Sequence, residues 1–295
     1  MDNFREFWLT NSLNEIFHLT DQKTKILFSS PSGLGFTKTY DYEKVGNSQI
    51  VIDEQLELPD VSGEIIFFND SLGSMYNDYS KFIEFISHEP VTLHYRIPSD
   101  LTDYYSEVII TRLEKSEVNN QTNYLSCPIT FHRLTEWLTN DDYVIVLTNT
   151  TSDTGKFYAL KREYHYAGTD LSGTEIFNNG TNEVGFQLTI NGEIQNPQFT
   201  LTQDGKQYGI CKINGTYDFV MINSNERDEQ IYLERNGSVI SSPEQYQDVT
   251  VADGQSLLTW CKLKVGKSIF SFNSGNIDVF NGYIEIRFKK AYISV

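Results

Sequence analysis

Alternation of apolar and polar residues is the main pattern along this chain, and it predicts strands in both halves. From Leu125 to Phe131, apolar residues alternate with smaller or polar ones, as in a half-buried strand. Val108, Ile110 and Leu113 mark an earlier strand, and the polar residues 114–123 between the two predict a hairpin turn. The same reasoning predicts further strands in the first half over residues 4–20, 24–28, 36–42, 49–52, 63–68 and 92–96.

One segment has a helical period. Its apolar residues lie on one helical face and are Tyr79, Phe82, Ile83, Phe85 and Ile86. We expect Asn77 or Asp78 to cap the helix and the segment His88-Glu89-Pro90 to end it. One amphipathic helix among several strands predicts an α+β sheet domain over residues 1–140.

The pattern changes after residue 140. Turn-rich stretches surround two strand-like segments, which predicts a connecting segment over residues 141–167. Residues 168–295 contain short strands separated by turn signals, a spacing typical of an antiparallel β-sandwich. These signals are Asn179-Gly180, Asn191-Gly192, Asp204-Gly205, Asn214-Gly215, Asn236-Gly237, Asp253-Gly254 and Asn281-Gly282. The last strand has Ile284, Ile286 and Phe288 on one face, so the fold class predicted is mainly β.

Composition and charge limit the classes of function that this protein can have. Hydrophobic residues make up 39% and aromatic residues 14% of the 295, which indicates a folded chain. The net charge of −17 disfavours direct binding of nucleic acid or anionic lipid. Residues 1–140 carry a net −11 and residues 141–295 a net −6, so the first half is the more acidic. No membrane span is expected, and the N-terminus lacks a signal-peptide pattern, which predicts synthesis in a cytoplasm.

Motifs for catalysis, cofactors and metals are missing from the sequence. Cys127, Cys211 and Cys261 are far apart and form no CxxC pair, so we interpret them as buried free thiols. The five histidines form neither HxH nor HExxH, and GxSxG, GxGxxG and GxxxxGK[ST] do not occur. The glycines of residues 30–35 lack the lysine of a phosphate-binding loop. We therefore expect no enzyme, no cofactor and no metal site, although a glycosidase carboxylate pair would be recognisable only in the fold.

Sugar binding is a second possibility for the C-terminal sandwich. Trp260, Tyr246 and Tyr283 are candidate stacking partners for a sugar ring. Buried aromatic residues are the commoner explanation in a chain with 18 tyrosines and 19 phenylalanines.

Several short segments, taken in order, form a characteristic combination. In the first half they are Leu58-Pro59-Asp60, the helix from Tyr79 to Ile86, Leu93-His94-Tyr95, Leu113 to Glu117, Leu125 to Phe131 and Leu134-Thr135-Glu136-Trp137. In the second half they are Ile194 to Pro197, Tyr208-Gly209, Asn225 to Asp228 and Ile284 to Arg287. Together they resemble the distal tail proteins of long, non-contractile-tailed phages of Gram-positive hosts, and the resemblance covers essentially the whole chain.

The resemblance implies a structural protein of the virion, made in the bacterial host cytoplasm. It implies an N-terminal split-barrel or belt domain with one helix, six copies of which close into a ring around the tail channel. A galectin-like β-sandwich follows. The implied partners are the tail tube protein, the tail-associated fibre or lysin protein, and receptor-binding or baseplate proteins. DNA would pass through the lumen without specific binding, and the acidity of residues 1–140 suits such a lumen. The alternatives are a carbohydrate-binding module that assists adsorption to the bacterial cell wall and a cell-wall hydrolase.

Overall fold

The computed structural model describes residues 5–21, 25–69, 71–97, 100–117, 124–140, 142–148, 164–166, 173–225, 230–240, 249–251, 262–277 and 280–295. It is mainly β, as predicted. The chain forms two compact units, Met1–Asn140 with Tyr292–Val295, and Asp141–Ala291. In the described residues, no helix is long and apolar enough to cross a membrane.

The first unit contains eleven strands and one helix among its described residues. They are β1 (Glu6–Thr10), β2 (Ile16–His18), β3 (Thr20–Asp21), β4 (Ile26–Ser32), β5 (Thr37–Val45), β6 (Ser48–Glu57), β7 (Val61–Phe68), α1 (Leu72–Ile86), β8 (Val91–Ile97), β9 (Asp100–Leu113), β10 (Tyr124–Arg133) and β11 (Trp137–Thr139). The predicted pairing of β9 with β10 is confirmed as antiparallel.

The main sheet of this unit curls into a split barrel. Its strand order is β2-β1-β8-β9-β10-β7-β4-β3, and only Leu19 separates β2 from β3 in the chain, so the two ends of the sheet meet. The Leu19 amide donates to the carbonyl oxygen of Phe7 on β1 at 2.9 Å. Leu125, Cys127, Ile129 and Phe131 point into the barrel and are at most 1% exposed, as predicted from their alternation.

Helix α1 differs in two ways from its prediction. It begins six or seven residues earlier than a cap at Asn77 or Asp78 requires, because the Ser71 side chain accepts a hydrogen bond from the Ser74 amide at 3.2 Å. Its buried face is formed by Met75, Phe82 and Phe85, whereas Ile83 is 38% exposed. Of the apolar residues predicted to share one helical face, Phe82 and Phe85 are therefore buried and Ile83 is exposed.

The second unit contains two sheets with the strand orders β13-β12-β24-β15-β18-β19-β20 and β14-β23-β16-β17-β21, and β22 pairs with β15. Its strands are β12 (Tyr143–Thr148), β13 (Tyr164–Tyr166), β14 (Thr174–Asn178), β15 (Val184–Gln195), β16 (Gln198–Gln203), β17 (Lys206–Ile213), β18 (Thr216–Asn223), β19 (Gln230–Arg235), β20 (Ser238–Val239), β21 (Val249–Val251), β22 (Lys262–Leu263), β23 (Gly266–Asn273) and β24 (Tyr283–Phe288). Strand β25 (Ala291–Tyr292) pairs with β11. All recorded pairings are antiparallel except that of β12 with β13.

Strand alternation builds the core of the second unit. Ile284, Ile286 and Phe288 are at most 3% exposed, as predicted for the last long strand. One prediction needs correction. Asn191-Gly192 does not separate two strands, because it lies at a bulge within β15 where Gly192 has φ +119°. One of the two strand-like segments predicted within residues 141–167 is observed as β12, which pairs along its whole length with β24.

Candidate assembly surface of the first unit

Tyr283 is the one predicted sugar-contact residue that the structure describes. It lies on β24, is 37% exposed, and accepts a long hydrogen bond of 3.5 Å from the Asn191 side chain. Trp260 and Tyr246 lie outside the described residues. The sugar-contact group of three aromatic residues therefore stays a prediction.

Two of the cysteines and His132 have environments that suit structural roles. Cys127 and Cys211 are free and fully buried, and burial raises the pKa of the Cys127 thiol to about 11 and that of Cys211 still further. Cys261 lies outside the described residues. Within the described part of the chain, no three His, Cys, Asp or Glu side chains lie together in a group that would hold a metal ion. His132 contacts Asp60 at 2.7 Å.

The most unusual feature of the first unit is a projecting hairpin. Among the described residues, strands β5 and β6 pair only with each other and form a separate two-stranded sheet, which we call the arm, residues 37–57. Every residue of the two strands is exposed except Leu56, which is half-buried. Its exposed large apolar side chains are Tyr40, Tyr42, Val45, Ile50, Val51 and Ile52. An isolated hairpin is marginally stable in water, and apolar surface of this kind marks an interaction site.

The two faces of the arm differ in chemistry. Strand alternation and the β5–β6 register divide the residues between the faces. The tyrosine face carries Lys38, Tyr40, Tyr42, Lys44, Gln49, Val51, Glu54 and Leu56. The opposite, acidic face carries Thr37, Thr39, Asp41, Glu43, Val45, Ser48, Ile50, Asp53, Gln55 and Glu57. The ring centroids of Tyr40 and Tyr42 are 6.1 Å apart, and Lys38 forms an ion pair with Glu54, which is consistent with this division.

The root of the arm is held by the last residue of β10 and the first residue of β11. The Arg133 guanidinium, 2% exposed as a residue, donates to the Gly35 carbonyl oxygen at 2.7 Å and to the Pro59 carbonyl oxygen at 3.1 Å. Gly35 precedes β5 and Pro59 follows β6, so one side chain bridges both sides of the root. Trp137, fully buried, donates its indole N–H to the Leu34 carbonyl oxygen at 3.2 Å. These bonds fix where the arm leaves the barrel.

Gly33 allows the two sides of the root to approach closely. It has φ +81°, and a Cβ atom there would lie 1.9 Å from the Asp60 carbonyl oxygen. Of the glycines in residues 30–35, Gly33 is therefore the one that the close approach at the root of the arm requires.

The outside of the barrel carries an apolar patch on three neighbouring strands. We call Leu27, Ile66, Phe68 and Tyr124 the barrel patch. Leu27 pairs with Ile66, and Phe68 pairs with Tyr124 at a ring-centroid distance of 6.1 Å. Leu27 and Phe68 are 38% and 39% exposed. Beside the patch, Glu64 accepts a hydrogen bond from the Ser126 hydroxyl at 3.1 Å.

Sequence reasoning predicted the strands of the arm but missed their separation from the barrel. The pattern over residues 36–52 contains alternation, but it does not say which partner a strand pairs with. The sequence does contain a usable signal. Charged residues are mixed with apolar residues on both faces of these two strands, which does not suit a strand that covers a core.

Comparisons with known proteins give a consistent family assignment. The family model described as "Distal tail protein, N-terminal domain" matches residues 6–134. A distal tail protein of Lactococcus phage SK1 is 22% identical over 274 residues, which are 82% of this chain and 88% of that protein.

Solved structures share the fold across both units. A chain in the structure of the phage P2 baseplate in its activated conformation with Ca matches 99% of this chain and 100% of its own length, with 16% identity and a TM-score of 0.54. The distal tail protein of phage SPP1, described as a paradigm of the hub adsorption apparatus in phages that infect Gram-positive bacteria, matches 96% of this chain and 98% of its own, with 9% identity and a TM-score of 0.60. Residues 6–134 thus match the N-terminal domain of distal tail proteins, and the chain as a whole is similar to distal tail proteins of phages, including one that infects Gram-positive bacteria.

Proposed function

We propose that six copies of this chain form a ring that is the structural hub of a phage tail tip or baseplate. The ring joins the tail tube protein to the tail-associated fibre or lysin protein, and it anchors receptor-binding proteins for host attachment. The first unit forms the ring, and the second, galectin-like unit carries the anchoring surfaces. The protein is made in the host cytoplasm and becomes part of the virion.

The observation that carries this proposal is the projecting arm. A two-stranded sheet with exposed tyrosine and β-branched side chains leaves apolar area in water until a partner covers it. The arm and the surface that receives it are different parts of one chain, so each copy both gives and receives an arm. Such heterologous contacts generate closed rings when the rotation between copies closes.

The charge of the chain suits a channel through which DNA moves without binding. The net charge is −17, and the acidic face of the arm carries Asp41, Glu43, Asp53 and Glu57. Negative surface repels the phosphates of DNA, so a lumen lined in this way would not retain the genome. We propose no catalytic role, in keeping with relatives that are tail and baseplate proteins.

Light scattering after size exclusion tests the ring. The wild-type chain, alone or mixed with the tail tube and tail-associated proteins, is expected to elute at six times its monomer mass. The matched variant replaces residues 36–58 with an Asn-Gly turn, which the close approach of Gly33 to Asp60 makes possible. It is expected to remain monomeric with the barrel folded. A wild-type monomer under all of these conditions contradicts the proposal.

Carbohydrate binding is the second candidate, and it is motivated by the exposed ring of Tyr283 beside Asn191. Aromatic faces next to amide groups suit the apolar face and hydroxyls of a sugar. Binding of purified cell-wall glycan that is lost on Tyr283→Ala or Trp260→Ala would favour this function. Wild-type protein that does not bind the glycan would reject it.

A further inference from the structure

We infer that the outer face of the larger sheet in the second unit binds a neutral hexopyranose, with Tyr283 and Glu285 as its main contacts. The inference rests on carbohydrate binding, the second candidate function, and adds to it the site and the class of ligand. Each copy in a ring would present one such site, so sugar binding accompanies the structural role of the ring and does not replace it.

Strand β15 lies within this sheet, between β24 and β18, and its outward side chains are polar. Leu188 and Ile190 are fully buried in the core. The alternate residues Gln187, Thr189 and Asn191 therefore lie on the outer face, and we call them the polar row. Thr189 is 9% exposed, and its hydroxyl accepts a hydrogen bond from the Gln187 side-chain amide at 3.3 Å. The polar row thus forms the floor of the proposed site.

Aromatic side chains flank the polar row on both neighbouring strands. Tyr283 on β24 and Phe219 on β18 are both paired with Asn191, one on each side. Neighbouring strands are about 4.8 Å apart, so these two aromatic residues project from strands about 10 Å apart. Tyr283 is 37% exposed, and the half-buried Phe219 packs edge-on against Tyr232 at a ring-centroid distance of 5.7 Å. The space above Asn191 is therefore bordered by rings on two sides.

The face combines the two kinds of contact that a sugar requires. The ring of Tyr283 offers an apolar surface for the C–H face of a pyranose, and the amides of Gln187 and Asn191 can donate to and accept from hydroxyls. The Glu285 carboxylate accepts bonds from the Arg287 guanidinium at 2.9 and 3.2 Å. Among the described residues, both bonds end on Oε1, so Oε2 is the atom that would accept a hydroxyl of the ligand.

The charges on this face favour a neutral ligand. Arg287 lies 2.9 Å from Glu285 and 3.6 Å from Asp142, and Lys289 lies 3.7 Å from Asp142. The cations are therefore already neutralised by carboxylates. Glu234, which is paired with Phe219, adds a further negative charge. A phosphate or carboxylate group on the glycan would meet these carboxylates, and like charges oppose binding.

An open sheet face covers one side of a sugar, so a single site is expected to bind weakly. A ring would hold several copies of the site. Linked sites can exceed the affinity of one site by about 10²–10⁴ when the ligand repeats. Weak individual sites would therefore be enough to hold a polymer that repeats the same sugar.

Matched variants on the two sheets test this site. Tyr283→Ala and Glu285→Gln alter it, and Phe177→Ala and Glu175→Gln are the controls. Phe177 is 49% exposed on β14 of the other sheet, where Glu175 forms an ion pair with Lys267. Saturation-transfer NMR titrations with cellobiose, lactose and chitobiose measure the affinity. We expect wild type to bind at least one disaccharide, the two site variants to lose at least about tenfold in affinity, and the controls to stay within about twofold.

The outcomes separate this inference from the other proposals. Equal losses in the site variants and the controls contradict the site. Binding that survives Tyr283→Ala and Glu285→Gln but is lost in Trp260→Ala supports carbohydrate binding and contradicts this location. A wild-type chain that binds none of the three disaccharides, or binds only poly(glycerol phosphate), overturns the neutral hexopyranose. The ring is measured separately by light scattering, and none of these results contradicts it.

Discussion

At the scale of single residues, the segment from His132 to Trp137 connects the barrel to the arm. Its side chains bind three backbone carbonyl oxygens and the Asp60 carboxylate at the root. The sequence predicted this segment as the end of the first domain and as part of the family resemblance. Its bonding role was not predictable, because the partners lie 72 to 103 residues away in the chain.

Removing the Arg133 guanidinium should loosen the root. Arg133→Met keeps most of the side-chain volume but leaves the Gly35 and Pro59 oxygens without their donor. We expect the free energy of unfolding to fall by about 1–3 kcal/mol, with faster amide exchange in the arm. Arg112→Met is the control, because Arg112 is exposed and pairs with the exposed Glu114, and it should change stability by less than about 0.5 kcal/mol. Equal effects in urea unfolding would reject the role of Arg133.

Cys127 should make stability depend on pH above the usual thiol range. Burial raises its folded pKa from 9.0 to about 11, so the unfolded chain loses the proton first as pH rises. The contribution of this group is complete below pH 9 and is lost progressively toward pH 11. Urea unfolding from pH 8 to pH 10.5 should therefore show a steeper decline for wild type than for Cys127→Ala. Parallel declines would contradict this assignment.

At the scale of elements, sequence patterns identified most strands correctly and placed the helix approximately. Alternation predicted the buried positions of β10 and β24 because both strands cover a core on one side. The helix start was missed because the apolar period used for the prediction begins at Tyr79, whereas Ser71 caps a first turn that already contains the buried Met75. The Asn191-Gly192 bulge was missed because the same dipeptide also makes hairpin turns.

Two neighbouring helix residues test the observed packing of α1. Phe82 is fully buried and its ring centroid lies 5.1 Å from that of Phe17, whereas Ile83 is 38% exposed. Phe82→Ala should lower the free energy of unfolding by about 3–5 kcal/mol through cavity formation. Ile83→Ala should cost less than about 1 kcal/mol, since little buried surface is removed. Chemical denaturation of both variants measures the difference, and similar losses would mean that the stripe faces the core as the sequence pattern suggested.

At the scale of the whole molecule, the arm shows the limit of sequence reasoning. Strand β4 pairs with β7, so β5 and β6 form an excursion between two neighbouring strands of the barrel. Tertiary packing decides which strands pair when they are far apart in the chain, and a local sequence pattern does not encode that choice. The family resemblance, in contrast, rests on ordered short segments along the chain, and the comparisons support it.

The mass of the assembled species tests the central claim most directly. Native mass spectrometry or light scattering of the wild-type chain, alone and with the tail tube and tail-associated proteins, should give a six-copy ring, and the variant with residues 36–58 replaced by an Asn-Gly turn should remain a monomer. A wild-type protein that remains a monomer in every mixture, and that instead binds cell-wall glycan through Tyr283, would contradict the account.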